Sequence, residues 1–85
     1  MQGKVIGLKK DASFDYDGKH YVGVQVCVSR QEVGFEGVCA ETFFINSNKP
    51  FFGVVSNLHI GDEVIYMKNS FGKVGDLYVT RYASK

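Results

Sequence analysis

The residues of this chain with the most chemical potential are rings and cations that recur beside its turns. Tyr16, Lys19, His20 and Tyr21 surround an Asp17-Gly18 dipeptide, and Phe71 and Lys73 lie in a second polar stretch, Asn69-Ser70-Phe71-Gly72-Lys73. Rings outside a core stack on flat π-systems, while neighbouring lysines neutralise anions. On a β scaffold this pairing suits a single polynucleotide strand, whose bases stack at roughly 1–3 kcal/mol each while cations track the phosphates. Phe71, between Ser70 and Gly72, has little apolar neighbourhood to join and is the most conspicuous ring. A plainer reading stands beside several of these: Tyr21 as cover for a neighbouring strand edge, Phe71 as a dimer contact or a ring folded onto its own hairpin, and Lys19 and Lys73, like Arg81 further on, as ordinary solvated charges.

Catalytic sets do not assemble from this sequence, and no enzyme is expected. His20 and His59 belong to different elements and have no partner at metal-ligand spacing. No serine sits in a GxSxG elbow, and the scattered glycines form no GxxxxGK[ST] phosphate cradle. Asp15-Tyr16-Asp17-Gly18 has the look of the start of a calcium loop, but the third acidic position and the bidentate glutamate are missing, so it reads as a solvated acidic turn. Cys27 and Cys39 lack CxxC spacing, which argues against zinc and against a redox motif. They fall on segments expected to pair, where a cross-strand disulfide is conceivable in a secreted protein; reduced thiols are favoured otherwise. No metal and no cofactor are expected.

The elements that must position the rings are strands. Tyr21 to Ser29 alternates, with Val22, Val24, Val26 and Val28 on one side and Tyr21, Gly23, Gln25, Cys27 and Ser29 on the other. Period two with four β-branched residues is the mark of a strand with one buried face. Residues 4–9 alternate similarly, and Asp17-Gly18 offers the positive-φ residues a tight hairpin wants, with the joining loop expected over 14–19. Gly34-Phe35-Glu36-Gly37 forms the next turn, a third strand runs over 38–45, and Asn46 to Pro50 closes it. Residues 51–60 read either as a short helical plug or as an extended connection. Two further strands follow, over 63–68 and 77–82. Phe43 and Phe44, being adjacent, point to opposite faces, and Phe51 and Phe52 read as core plugs.

The expected fold is therefore all-β: a five-stranded Greek-key barrel, OB-fold-like, in a single domain over residues 1–85. A small sandwich or an SH3-like barrel is the alternative. The 85 residues leave no room for a second core, and a chain this short buries only about 60–65% of its unfolded surface, which makes dimerisation a natural supplement. A net charge of +1 argues against a strongly basic nucleic-acid binder but leaves room for local patches. No stretch approaches a membrane span. Met1-Gln2-Gly3-Lys4 leads straight into strand alternation without a leader-like apolar region, so a cytoplasmic location is expected.

Three segments resemble the filamentous-phage single-stranded DNA-binding proteins, a family of small dimeric OB-fold, helix-destabilising proteins of almost this length. Gly18-Lys19-His20-Tyr21 followed by Gln25-Val26-Cys27 resembles that family's Gly-Lys-x-Tyr leading to Gln-x-Cys, one residue shorter between Tyr and Gln. Val33-Gly34-x-Glu36 forms the second segment. The third runs from Gly61 through Asn69-Ser70-Phe71 and Lys73-Val74-Gly75 to Leu77-Tyr78-Val79-Thr80-Arg81. The resemblance implies that Tyr21 stacks on bases, that Arg81 faces phosphate, and that Phe71 reaches toward DNA held by a partner subunit. It also implies a two-fold interface built from the connection before Gly61 and the last hairpin. The chain departs from the family at Asp11, Asp15 and Asp17, where arginines are usual, at Gly37 in place of a stacking tyrosine, and at Thr42 in place of a lysine. Each lost cation weakens binding and its salt dependence.

The function expected on these grounds is sequence-tolerant coating of single-stranded nucleic acid, DNA rather than RNA, by a homodimer serving DNA replication or transfer. Tyr16, Lys19, Tyr21, Phe71, Lys73 and Arg81 are the expected contacts. The competing expectation is a small β-barrel that binds a protein partner through an apolar surface or an open strand edge. The near-neutral charge and the acidic first loop favour that alternative.

Overall fold

The computed structural model describes residues 1–83. Five strands and one short helix follow in the order β1 (Gln2–Tyr16), β2 (Lys19–Arg30), β3 (Cys39–Asn46), α1 (Phe52–Ser56), β4 (Glu63–Lys68) and β5 (Val74–Arg81). Every ladder is antiparallel, and together they form one sheet of order β3-β2-β1-β4-β5.

The first hairpin is as tight as its Asp17-Gly18 dipeptide suggests, and its strands run further than the expected loop allowed. Asp17 and Gly18 both take positive φ, 51° and 74°, as a two-residue turn of matching twist requires. The loop expected over 14–19 is therefore strand almost to its tip, with Tyr16 paired to Lys19. Two register shifts, between Val5 and Gly7 and between Lys9 and Ala12, break the β1–β2 ladder. Such irregularities bend a strand and sharpen its twist. β1 thereby serves two neighbours: Gln2–Lys4 pairs with β4, while Lys4–Tyr16 pairs with β2.

Bending gives the sheet a concave, apolar side. Val5, Val24, Val26, Val28, Ile45, Val64, Tyr66, Val74 and Leu77 line it, and Val55 and Leu58 from the α1 region cap it. Phe51 and Phe52 pack against this core as expected of plugs, and residues 51–60 resolve in favour of the short helix. The valine row of β2 is buried at three of its four positions. Val22, on the projecting part of the hairpin, is 47% exposed because no layer faces it.

The closed five-stranded barrel is met only in part. Among the described residues no ladder joins β3 to β5, so the sheet is open. Side chains span the interior instead. From β4, Tyr66 Oη donates to Glu41 Oε1 on β3 at 2.8 Å, and Lys68 Nζ binds the other carboxylate oxygen. The Tyr66 ring lies 5.0 Å from that of Phe43. α1 packs against both β3 and β5.

The two cysteines are free. Cys27 pairs in register with Thr42 and Cys39 with Arg30, and strand alternation puts them on opposite faces of the sheet. The conceivable cross-strand disulfide is accordingly absent. No helix among the described residues is long and apolar enough to cross a membrane.

Candidate nucleic-acid interface

The convex face of β1, β2 and β3 carries a cluster of rings. Because the turn occupies only Asp17 and Gly18, Phe14 stands directly opposite Tyr21. Their rings stack with centroids 5.1 Å apart and planes inclined by 23°. Phe44, the outward member of the Phe43-Phe44 pair, meets Phe14 edge-on, at 4.8 Å and 74°. Both arrangements suit aromatic quadrupoles. Phe44 lies over Gly23, where a Cβ would fall 2.0 Å from Ile45 O and 2.8 Å from the Phe44 ring. Glycine is thus required for β3 and its phenylalanine to close on β2.

A groove of about 400 Å3 opens beside this cluster, lined by Phe14, Tyr16, Tyr21, Phe44, Lys49 and Lys73, with Asn46, Asn48 and Val74. Three separate segments supply it: the first hairpin, the end of β3 with the turn after it, and the end of the β4–β5 loop with the start of β5. Neither Lys49 nor Lys73 forms an ion pair among the described residues, whereas Arg30 and Lys68 are engaged by Glu32 and Glu41. Two free cations beside three packed rings can hold an anion next to a flat ring.

Of the six residues expected to act together, the structure gathers Tyr16, Tyr21 and Lys73 into this groove. Lys19 is exposed and pairs across the strands with Tyr16, at the groove's outer end. Phe71 is 85% exposed on the loop that delivers Lys73. That loop is well ordered by hydrogen bonding: Asn69 Oδ1 accepts from the amides of Phe71 at 2.9 Å and Lys73 at 3.1 Å. Phe71 therefore projects from a fixed turn but does not line the groove. Arg81 stands apart at the other end of β5, where its side chain lies 3.8 Å from Glu63.

One acid of the first hairpin is turned away from the groove. Asp15 alternates with Phe14 and Tyr16 and so occupies the opposite face, where its carboxylate meets His20 Nδ1 at 2.6 Å.

Phe14, Phe44, Asn46, Asn48, Lys49 and Val74 were not foreseen as groove residues. Reading Asp17-Gly18 as a two-residue turn sets Phe14 opposite Tyr21 by simple counting, so that signal was present. The Asn46–Lys49 turn meets Lys73 only through tertiary folding, and no local pattern marks it.

Electrostatics elsewhere concentrate on the Glu41 clasp. Burial pushes the Glu41 carboxyl up, but hydrogen bonds from Lys68 and Tyr66 and the charges of Lys68 and Arg30 outweigh it, leaving it below the usual carboxylate range. The Tyr66 phenol is pushed up to about 12, by burial first and then by its bond to Glu41. Burial also raises the Cys39 thiol, helped by Glu32.

Comparison with protein-family models, with curated proteins and with solved structures returns no match.

Proposed function

We propose that this protein binds single-stranded nucleic acid, DNA in preference to RNA, with little regard to sequence, and that it coats the strand as a cytoplasmic homodimer. The observation that carries this reading is the stacked Phe14–Tyr21 pair opening onto a groove with two lysines that form no ion pair among the described residues. Bases stack on such platforms whatever their identity, and cations beside them neutralise phosphate. The outward row of β2 continues the path beyond Tyr21, through Gln25 and Cys27 to Ser29, over about 26 Å of strand. Shallow clefts flank it, bordered first by Lys9, Gln25 and Thr42 and then by Gln2, Lys4 and Ser29. Phe71 and Lys19, exposed at the rim, are positioned to add a further stack and a further cation. Arg81 is left out of the groove contact.

An OB-like architecture fits the same reading. The strand order is one in which pairing of β3 with β5 would complete a barrel, and the helix falls between β3 and β4. The resemblance to the filamentous-phage DNA-binding proteins points the same way.

Titration with oligo-dT at low salt tests the proposal. Tyrosine emission is expected to fall on binding and to recover as salt is added; unchanged emission at every ratio overturns it. A second reading, a protein-docking module, is favoured by the exposed Val33 and Phe35 of the β2–β3 loop. A nuclease-resistant complex with no oligonucleotide shift selects that reading.

A further inference from the structure

The loop between β2 and β3 presents an unusual pairing of groups at the end of the molecule remote from the aromatic groove. Val33 and Val38 are exposed, and Phe35 is 62% exposed. Gly34 and Gly37 hold positive φ of 94° and 77°, which fixes the turn around them. Glu32 is engaged by Arg30 at 2.9 Å, but the adjoining Glu36 is exposed and forms no ion pair among the described residues. An uncovered ring next to an unneutralised carboxylate offers a flat π-face beside an anion. That is the chemistry the groove is built to take, with Phe14, Tyr21 and Phe44 for a ring and Lys49 and Lys73 for a charge.

The two features cannot meet within one chain. The groove is fed by residues at the start of β2, and the loop leaves its end. The strand's 12 residues span about 40 Å. The long dimension of the whole molecule is 41 Å. A second copy, however, can bring its loop to the groove.

We propose that, when no polynucleotide is bound, the β2–β3 loop of one copy seats in the aromatic groove of another, with Phe35 against the rings and Glu36 toward Lys49 and Lys73. The contact is head-to-tail. Each copy in a pair keeps one unused loop and one unused groove, so association proceeds as an open chain rather than ending at a closed dimer. A bound strand competes for the same groove and disperses the chain. The inference rests on the groove described above and predicts that its own ring-and-carboxylate mimic guards it.

Sedimentation velocity of the full chain at low ionic strength, from micromolar to millimolar protein, tests this. The weight-average mass is expected to climb without a plateau, and to fall back on adding salt or oligo-dT. Phe35→Ser, on an exposed loop, and Lys73→Gln should each weaken association on the order of tenfold while far-UV circular dichroism stays unchanged. A mass independent of concentration, or a climb that Phe35→Ser leaves intact, overturns the proposal. A climb abolished by both variants but indifferent to oligo-dT upholds the loop–groove contact and removes the nucleic-acid reading. Oligo-dT binding without any climb does the reverse.

Discussion

Phe14 and Tyr21 occupy directly opposed positions on β1 and β2, and their rings stack on the convex face of the sheet at 5.1 Å. The pairing follows from a turn centred on Asp17 and Gly18, since a turn centred one residue to either side would shift the register and separate them. Together with Phe44 and the lysines at 49 and 73, it forms one wall of an aromatic, cation-bearing groove.

Removing a ring from this platform should cost binding rather than folding. Tyr21→Ala and Phe14→Ala are each expected to weaken oligo-dT affinity by about 1–3 kcal/mol, measured by fluorescence titration. Phe71→Ala should do the same, its exposed ring adding a stack from the rim.

The lysines should act through salt. Lys73→Gln removes one phosphate contact, so the slope of log affinity against log salt is expected to shrink by about 0.7. Arg81→Gln, remote from the groove and close to Glu63, should leave the slope as it was.

Gly23 has no room for a side chain. Gly23→Ala places a methyl group 2.0 Å from Ile45 O, and overpacking of this kind costs about 1–3 kcal/mol. Urea unfolding should show that loss, and oligo-dT affinity should fall with it as Phe44 is displaced.

The Glu41 clasp predicts two pH limits. Glu41 is held below its ordinary value of 4.5 in the folded protein, so its stabilisation is present above that value and is lost as pH falls through the lowered one. Tyr66 is raised from 10.0 to about 12; its contribution is complete below 10 and disappears between about 10 and 12 as the phenol ionises. Stability against pH, followed by denaturant midpoints, should decline on both sides. Glu41→Gln is expected to flatten the acid limb, and Tyr66→Phe the alkaline one.

Much of the architecture was legible because its signals are local. The alternation of β2, the turn dipeptides and the span of β4 follow from period and turn chemistry alone. The extent of β1 was not, because a tight Asp-Gly turn and a longer loop look alike until pairing is known. Barrel closure depends on whether β3 and β5 meet, which is decided by twist and by contacts such as Glu41 to Tyr66, far apart in sequence. For the site, Tyr16, Tyr21 and Lys73 could be picked out because rings and cations beside turns are informative by type. Lys49 could not, since only the folded chain brings residues 46–49 to Lys73. Arg81 followed from resemblance, and the structure sets it beside Glu63 instead.

The most direct measurement is amide chemical-shift mapping of the labelled protein against oligo-dT at low salt. The largest changes are expected at Phe14, Tyr16, Tyr21, Phe44, Lys49 and Lys73, extending along β2 toward Ser29. Changes confined to the far end around Arg30 and Glu63, or none at all, would contradict a polynucleotide seat on the Phe14–Tyr21 platform.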